Sequence, residues 1–174
     1  ITLDTTGKML LGTDIGAALA ILEGMPIDVI GLNCSTGPEH MRVSIEYLGE
    51  NTHLPISCIP NAGLPLNIDG EAVYPMAPEP FAELLGEFVI NNNINIVGGC
   101  CGTTPDHISL LVKSLKDITP QAREINKTAC LASATIAVPM RQEPAPFLIG
   151  ERLNTQGSRR FKELIIKEDY EAIL

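Results

Sequence analysis

Basic residues are scarce in this sequence: 12 Lys and Arg stand against 21 Asp and Glu, a net charge of -9. With a pI near 4.7 and no Lys/Arg cluster long enough to make a phosphate-binding patch, nucleic acid and anionic membranes are argued against as partners. No apolar run approaches the roughly 20 residues that cross a bilayer. No signal-peptide pattern opens the chain either, so the expected location is the cytoplasm. There is no Cys-x-x-Cys pair, which disfavours a zinc ribbon or a thioredoxin-type motif. Internal repeats and low-complexity tracts are also missing. The five cysteines are odd in number and too sparse for the disulfide framework of a small secreted domain. In a reducing compartment such cysteines point to metal binding or catalysis. What remains, 45% hydrophobic and 19% charged, is ordinary for a soluble globular protein.

The ends read as cuts. Ile1-Thr2-Leu3-Asp4 looks like the exit of a strand, and Leu174 stops within a helical pattern that carries no closing glycine or proline. The expectation is an internal segment of something longer.

From Thr13 to Leu115 strands and helices alternate. Helices are expected over 14–24, 38–50, 78–92 and 104–115, with Thr13 or Asp14, Pro38 and Pro105 placed to open three of them. Strands are expected over 27–33, 55–60 and 94–98. Strands separated by helices of this length imply βαβ units and a parallel sheet. Such a sheet is buried on both faces, so its strands read as unbroken apolar runs. Candidate ligands at the carboxyl ends of these strands suggest a parallel (β/α)8 TIM-type barrel, which places its chemistry on that rim. A doubly wound open sheet obeys the same rule. A barrel needs about 250 residues, so residues 1–118 would supply only its closing part. Residues 119–146, with Pro120, Pro139, Pro144 and Pro146, read as an interdomain linker holding one short strand near 136–138. A further strand at Phe147-Leu148-Ile149-Gly150 and a helix from Arg159 would begin a second, truncated domain over 147–174.

The strongest chemical signal is Gly98-Gly99-Cys100-Cys101-Gly102-Thr103, at the end of an expected strand. Neighbouring side chains on a strand point to opposite faces. Both thiols can converge only if the backbone turns, which the flanking glycines allow. Cys34, in Gly31-Leu32-Asn33-Cys34-Ser35, ends a similar run. Three thiolates on one rim with one position left open make a catalytic zinc site, whereas a structural site closes with a fourth protein ligand. Free cysteine is also among the most buried residue types, and that reading is kept for Cys58, inside a strand. Cys130, in the linker, is read as incidental. His40, His53 and His107 lie in or beside helices and are expected at the surface without a role. Asn61 follows Pro60 at a strand end. It is either a turn residue or a group facing the rim, as a weak oxygen ligand or a substrate hydrogen-bond partner.

Taken together, Gly31-Leu32-Asn33-Cys34, Pro60-Asn61-Ala62-Gly63-Leu64-Pro65 and Gly98-Gly99-Cys100-Cys101-Gly102-Thr103-Thr104-Pro105 resemble the homocysteine-binding domain of homocysteine S-methyltransferases. The resemblance covers roughly residues 1–118 and implies a (β/α)8 barrel in which Cys34, Cys100 and Cys101 hold Zn2+. The homocysteine sulfur would be the fourth ligand, with Asn61 filling that position beforehand. Ile149-Gly150-Glu151-Arg152-Leu153-Asn154, followed by Gly157-Ser158, is similar to the opening of a pterin-binding methyltransferase barrel. Glu151 and Asn154 are then candidates to hydrogen-bond the pterin. A homocysteine barrel followed by a pterin barrel is the order found in cobalamin-dependent members of the family. There methylcobalamin gives its methyl group to homocysteine and methyltetrahydrofolate is the upstream donor, in methionine biosynthesis. The partners implied are homocysteine and the cobalamin and pterin domains of the same enzyme.

Three other readings stay open. A cobalamin-independent homocysteine methyltransferase would share the cysteines and use betaine or S-methylmethionine, and a homocysteine domain fused to a folate reductase is a variant. A non-catalytic redox module would join Cys100 and Cys101 in a strained disulfide. A partial barrel leaves open sheet edges and exposed apolar faces, so the isolated segment is expected to be inactive and marginally stable.

Overall fold

Local signals set the helices where the pattern of apolar residues places them. In the computed structural model, which describes residues 1–119, 121–125, 128–150 and 153–173, Asp14 accepts a hydrogen bond from the Ala17 N–H. It thereby caps α1 (Ile15–Leu22). Helices α2 (Pro38–Asn51), α3 (Pro78–Asn92) and α4 (Pro105–Leu115) each have proline in the first turn and an acidic residue beside it: Glu39, Glu79 and Asp106. The missing proline N–H costs nothing at that position and the carboxylate faces the positive end of the helix.

Strands β1 (Ile30–Asn33), β2 (Ile56–Ile59) and a two-residue strand, Ile96–Val97, form a parallel sheet in the order in which they occur. The third is β5 in chain order, because two further strands precede it. β3 (Leu66–Ile68) and β4 (Glu71–Val73) make an exposed antiparallel hairpin. Its turn residues Asp69 and Gly70 both have positive φ, 53° and 88°, as a two-residue hairpin turn requires. The sequence reading assigns no strand to this stretch.

The alternation along β1 and β2 sends Ile30, Leu32, Ile56 and Cys58 to one face, where all four are buried. There they meet Met41, Ile45 and Leu48 of α2 and Phe81, Leu85 and Phe88 of α3. Burial pushes the Cys58 thiol up to about 12, so it stays protonated and serves as packing. The opposite face is only partly covered, with Ile96 44% exposed. Burial on both faces, expected for a parallel sheet, is therefore not met among the described residues. Among the described residues these three strands make one parallel sheet, its second face left partly exposed. The architecture shown is mixed α/β with a parallel sheet.

Arg123 joins the two chain segments that lead into β2 and β5. Its guanidinium donates to the carbonyls of Thr52, Leu54 and Asn93 and to Asn95 Oδ1, the closest at 2.6 Å to Leu54. Hydrogen bonds to a charged group contribute about 1.5–3 kcal/mol. Arg123→Ala is expected to lower unfolding stability by about 2–3 kcal/mol, read as a drop in the urea midpoint. Lysine, with a single ammonium, should restore little of it.

The stretch read as a linker carries more regular structure than expected. β6 (Cys130–Ala132) and β7 (Ala137–Pro139) form a hairpin tied to the start of α1 by Thr13 Oγ1 donating to the Ala134 carbonyl, 2.6 Å, and Asp14 N–H to that of Thr135, 2.9 Å. The chain divides into two compact units, Ile1–Met140 and Arg141–Leu174. In the second, residues 147–150 form no strand, since an apolar run becomes a strand only beside a partner. α5 (Arg159–Ile166) is capped by Ser158 and is shorter than expected, because Glu168 turns into the left-handed region at φ 55°. No helix among the described residues is long and apolar enough to cross a membrane.

Candidate metal centre

The carboxyl ends of β1, β2 and β5 are laced together by their own backbones. Cys34 N–H donates to the Ile59 carbonyl (3.0 Å), Asn61 N–H to that of Thr36 (3.0 Å) and Cys100 N–H to that of Pro60 (2.8 Å). Ala62 N–H donates to the Cys101 carbonyl, 2.9 Å. These bonds fix three loops in one register without any help from side chains.

Two backbone departures aim the thiols. Cys34 and Ser35 both adopt left-handed conformations, φ 60° and 65°, which cost a residue with a Cβ roughly 1–2 kcal/mol each. Strain of this kind is stored where geometry matters to a site. Beyond the vicinal pair, Gly102 has φ 77° and supplies the sharp turn foreseen for a flanking glycine. A Cβ there would overlap Cβ and Cγ of Tyr74 and stand 2.8 Å from its Cδ2.

The result is convergence of the three cysteines. Sγ of Cys34 lies 3.9 Å from Sγ of Cys101, and Sγ of Cys100 lies 3.8 Å from it. All three sulfurs fall within 4.8 Å of one another. Two thiolates bound at 2.3 Å to a tetrahedral zinc sit about 3.8 Å apart. The donor set and its spacing therefore fit such an ion, with one position left over. Cys34, Cys100 and Cys101 are partly exposed and all five cysteines are free.

Without a metal the thiols differ. Desolvation and hydrogen bonds to Cys34 and Cys101 push Cys100 up to about 11. Cys101 is held below the ordinary thiol value, first by a hydrogen bond from the Tyr74 hydroxyl and then by those from Cys100 and Cys34.

Asn61 is buried, and its Oδ1 accepts from the Cys101 N–H at 3.2 Å. Two residues were not foreseen as part of this region. Tyr74 follows the β3–β4 hairpin, and its ring packs on the Gly102 α-carbon. His107, expected at the surface, is buried: its Nδ1 is 2.8 Å from Thr104 Oγ1 and accepts from the Thr104 N–H, 3.3 Å, completing a capping box. Nε2 lies 2.9 Å from the Met76 carbonyl and so carries the proton, while the ring edge meets Phe81. His107 thereby ties the segment bearing Tyr74 to the helix that follows the cysteine pair. Its place at the third position of α4, behind Thr104-Pro105, was the available signal. Cys130 lies away from this cluster, with its thiol donating to the Thr128 carbonyl at 3.3 Å.

In the second unit, Asn154 Oδ1 accepts from the Gln156 N–H, 2.9 Å, in the turn that leads to α5. Glu151 lies outside the described residues.

Comparison with known proteins places this geometry. A family model described as homocysteine S-methyltransferase matches residues 1–115. Methionine synthase of Mycobacterium tuberculosis is 41% identical over 174 residues, all of this chain and 15% of that protein. Methionine synthase of Mycobacterium leprae is 44% identical over 179 residues, again covering 100% of this chain and 15% of the relative. The chain thus spans about 15% of the length of these curated relatives. Among solved structures, the oxidized form of the homocysteine methyltransferase MmuM from Escherichia coli is 27% identical, with a TM-score of 0.48, over 63% of this chain and 32% of that one. The match over residues 1–115, which contains all three converging cysteines, shows that the chain belongs to the homocysteine S-methyltransferase family.

Proposed function

We propose that this chain is a segment of a cobalamin-dependent methionine synthase, carrying the site that activates homocysteine for methylation. The observation that carries the proposal is the spacing of the three sulfurs, 3.8 and 3.9 Å for the two pairs that include Cys101. Support for a member with a pterin domain is that identity to the mycobacterial methionine synthases runs over the whole chain, beyond the residues 1–115 of the family model. On this reading residues 1–118 are the closing part of a (β/α)8 barrel. The unreversed order β1-β2-β5 accords with that. Residues 119–146 lead to the start of the pterin barrel at 147–174, where Glu151 and Asn154 contribute to the pterin site.

Cys34, Cys100 and Cys101 would hold Zn2+. Bound there, zinc supplies the Lewis acidity that keeps the homocysteine thiol ionised at neutral pH, where a free thiol with a pKa near 8.5 is mostly protonated. The thiolate is the nucleophile; methylcobalamin would supply the methyl group, and methyltetrahydrofolate would be the upstream donor. The protein's own part is to present three anionic sulfurs, whose charge keeps the substrate sulfur electron-rich. Asn61, whose Oδ1 accepts from the Cys101 N–H, would fill the open position until substrate arrives. The substrate and its neighbouring domains are the partners of this segment, in the cytoplasm.

Metal affinity should depend on pH in a defined direction. Metal binds thiolates, so it must displace the proton that Cys100, pushed up to about 11, retains at neutral pH. Zinc affinity, measured in the intact polypeptide against a competing chelator, is expected to rise with pH from 6 to 9. The slope is up to about tenfold per pH unit for each proton released. One zinc per chain with that slope supports the site. No zinc, or an affinity flat with pH, contradicts it.

A further inference from the structure

The loop that follows β2 grips the Cys101 residue at both of its backbone groups. The Cys101 N–H donates to Asn61 Oδ1 (3.2 Å), and the Cys101 carbonyl accepts from the Ala62 N–H (2.9 Å). Met76 braces this loop in turn. Its N–H donates to the Ala62 carbonyl (3.0 Å), and it packs so close to Gly63 that a Cβ there would stand 3.1 Å from Met76 Cβ and 3.3 Å from its nitrogen.

Met76 is itself fastened by a buried imidazole. The Met76 carbonyl lies 2.9 Å from His107 Nε2. The other ring nitrogen, Nδ1, accepts from the Thr104 N–H at 3.3 Å. A backbone N–H can only donate, so Nδ1 is bare and the proton sits on Nε2, directed at Met76. The ring edge is set against Phe81, centroids 5.3 Å apart at 86°. Thr104 follows Cys101 by three residues, so the contacts close a ring. It runs from Cys101 through Asn61 and Ala62 to Met76, then through His107 to Thr104 and back along the chain. A capping box ordinarily places Glu or Gln at the third helical position. Histidine caps α4 with one nitrogen and has a second left for Met76.

We infer that His107 is a positioning residue of the metal centre: by donating from Nε2 to the Met76 carbonyl it closes the hydrogen-bonded ring that fixes the backbone of Cys101, and with it the place of the Cys101 sulfur. The inference rests on the three-thiol metal site proposed above. Partners outside the ligand shell orient the ligands and tune the metal in this way.

Substitution separates the two nitrogens. His107→Asn sets an amide oxygen at the place of Nδ1, keeping the acceptor for Thr104 and dropping the donor to Met76. His107→Gln reaches as far as Nε2 and keeps that donor. Both are made in the intact, cobalamin-free polypeptide. Zinc affinity against a competing chelator is expected to fall about tenfold in the Asn variant, the low end of what partners of metal ligands contribute. The sulfur-to-cobalt charge-transfer band of the Co2+-substituted Asn protein should shift, and the Gln variant should return affinity and band to wild-type values. An Asn variant matching wild type in both, with wild type binding one zinc, overturns the role of His107 and leaves the metal site standing. So does a loss of affinity that follows the urea midpoint in both variants with the cobalt band unmoved. If the Asn protein does not fold, the Gln variant decides: reduced affinity or a shifted band despite the retained donor overturns the inference, and wild-type values sustain it. Wild type without zinc overturns the metal site and this inference with it.

Discussion

Serine in place of Cys34, Cys100 or Cys101 is expected to remove zinc from the chain and to lower homocysteine methylation by more than about 100-fold, since loss of even an outer partner of a ligand costs 10–100-fold. Cys34 is the most telling of the three. It arrives from β1, on a different strand from the vicinal pair, so its loss tests whether the cluster forms at all. Its left-handed backbone, φ 60°, is tolerated because the Cys34 N–H is fastened to Ile59 across the sheet. Cys58→Ser and Cys130→Ser are the internal controls. Cys58 is fully buried, so serine there should reduce stability while zinc per chain is unchanged. Cys130→Ser should alter neither. Metal content after dialysis, with the methyl-transfer rate of the intact polypeptide, separates these outcomes. Zinc retained by Cys34→Ser at the wild-type level would contradict a three-thiolate site.

Gly31→Ala is expected to be the most damaging substitution of a non-ligand. Gly31 pairs with Ser57 across β1 and β2. A Cβ there would overlap the Ser57 carbonyl oxygen and hydroxyl and stand 2.8 Å from its carbonyl carbon. The obstruction is backbone, which cannot swing aside as a side chain can. Overpacking typically costs 1–3 kcal/mol, and a site that must separate two paired strands should reach about 3 kcal/mol or more. The urea midpoint should fall with an unchanged slope. Zinc affinity should fall too, because β1 carries Cys34. Gly70→Ala provides the contrast: φ is 88° but nothing lies within 4 Å, so only the conformational cost of about 1 kcal/mol applies. A Gly31→Ala protein as stable as the Gly70→Ala protein would refute the steric argument.

The helices were legible because each one announces its start. Proline at the first turn and a neighbouring carboxylate open α2, α3 and α4, and apolar spacing does the rest. The parallel pairing of β1, β2 and β5 also followed from the alternation of elements, although β5 is reduced to two residues. Short strands were harder to see. The β3–β4 hairpin has three-residue strands, all exposed, so there was no burial pattern to read. Asp69-Gly70 was its one turn signal. At 147–150 the error ran the other way: an apolar run resembled a strand, yet pairing depends on a neighbour that local sequence does not reveal.

The site divides in the same manner. That Cys100 and Cys101 turn together could be reasoned from the adjacent glycines, and Gly102 bears this out with φ 77°. The left-handed turn at Cys34 and Ser35 had no glycine to betray it. It is imposed by hydrogen bonds from Cys34 N–H to Ile59 and Asn61 N–H to Thr36, which are contacts between strands far apart in the chain. Tyr74 and His107 were missed for the same reason. One is carried to the rim by an unseen hairpin, and the other is buried by a carbonyl 31 residues away.

The most direct test of the central claim is the zinc-edge X-ray absorption spectrum of the intact polypeptide, recorded with and without homocysteine. The account predicts three sulfur neighbours at about 2.3 Å in the resting protein, and a fourth when homocysteine is added. A protein that holds no zinc, or one whose sulfur count does not change with homocysteine, would contradict it.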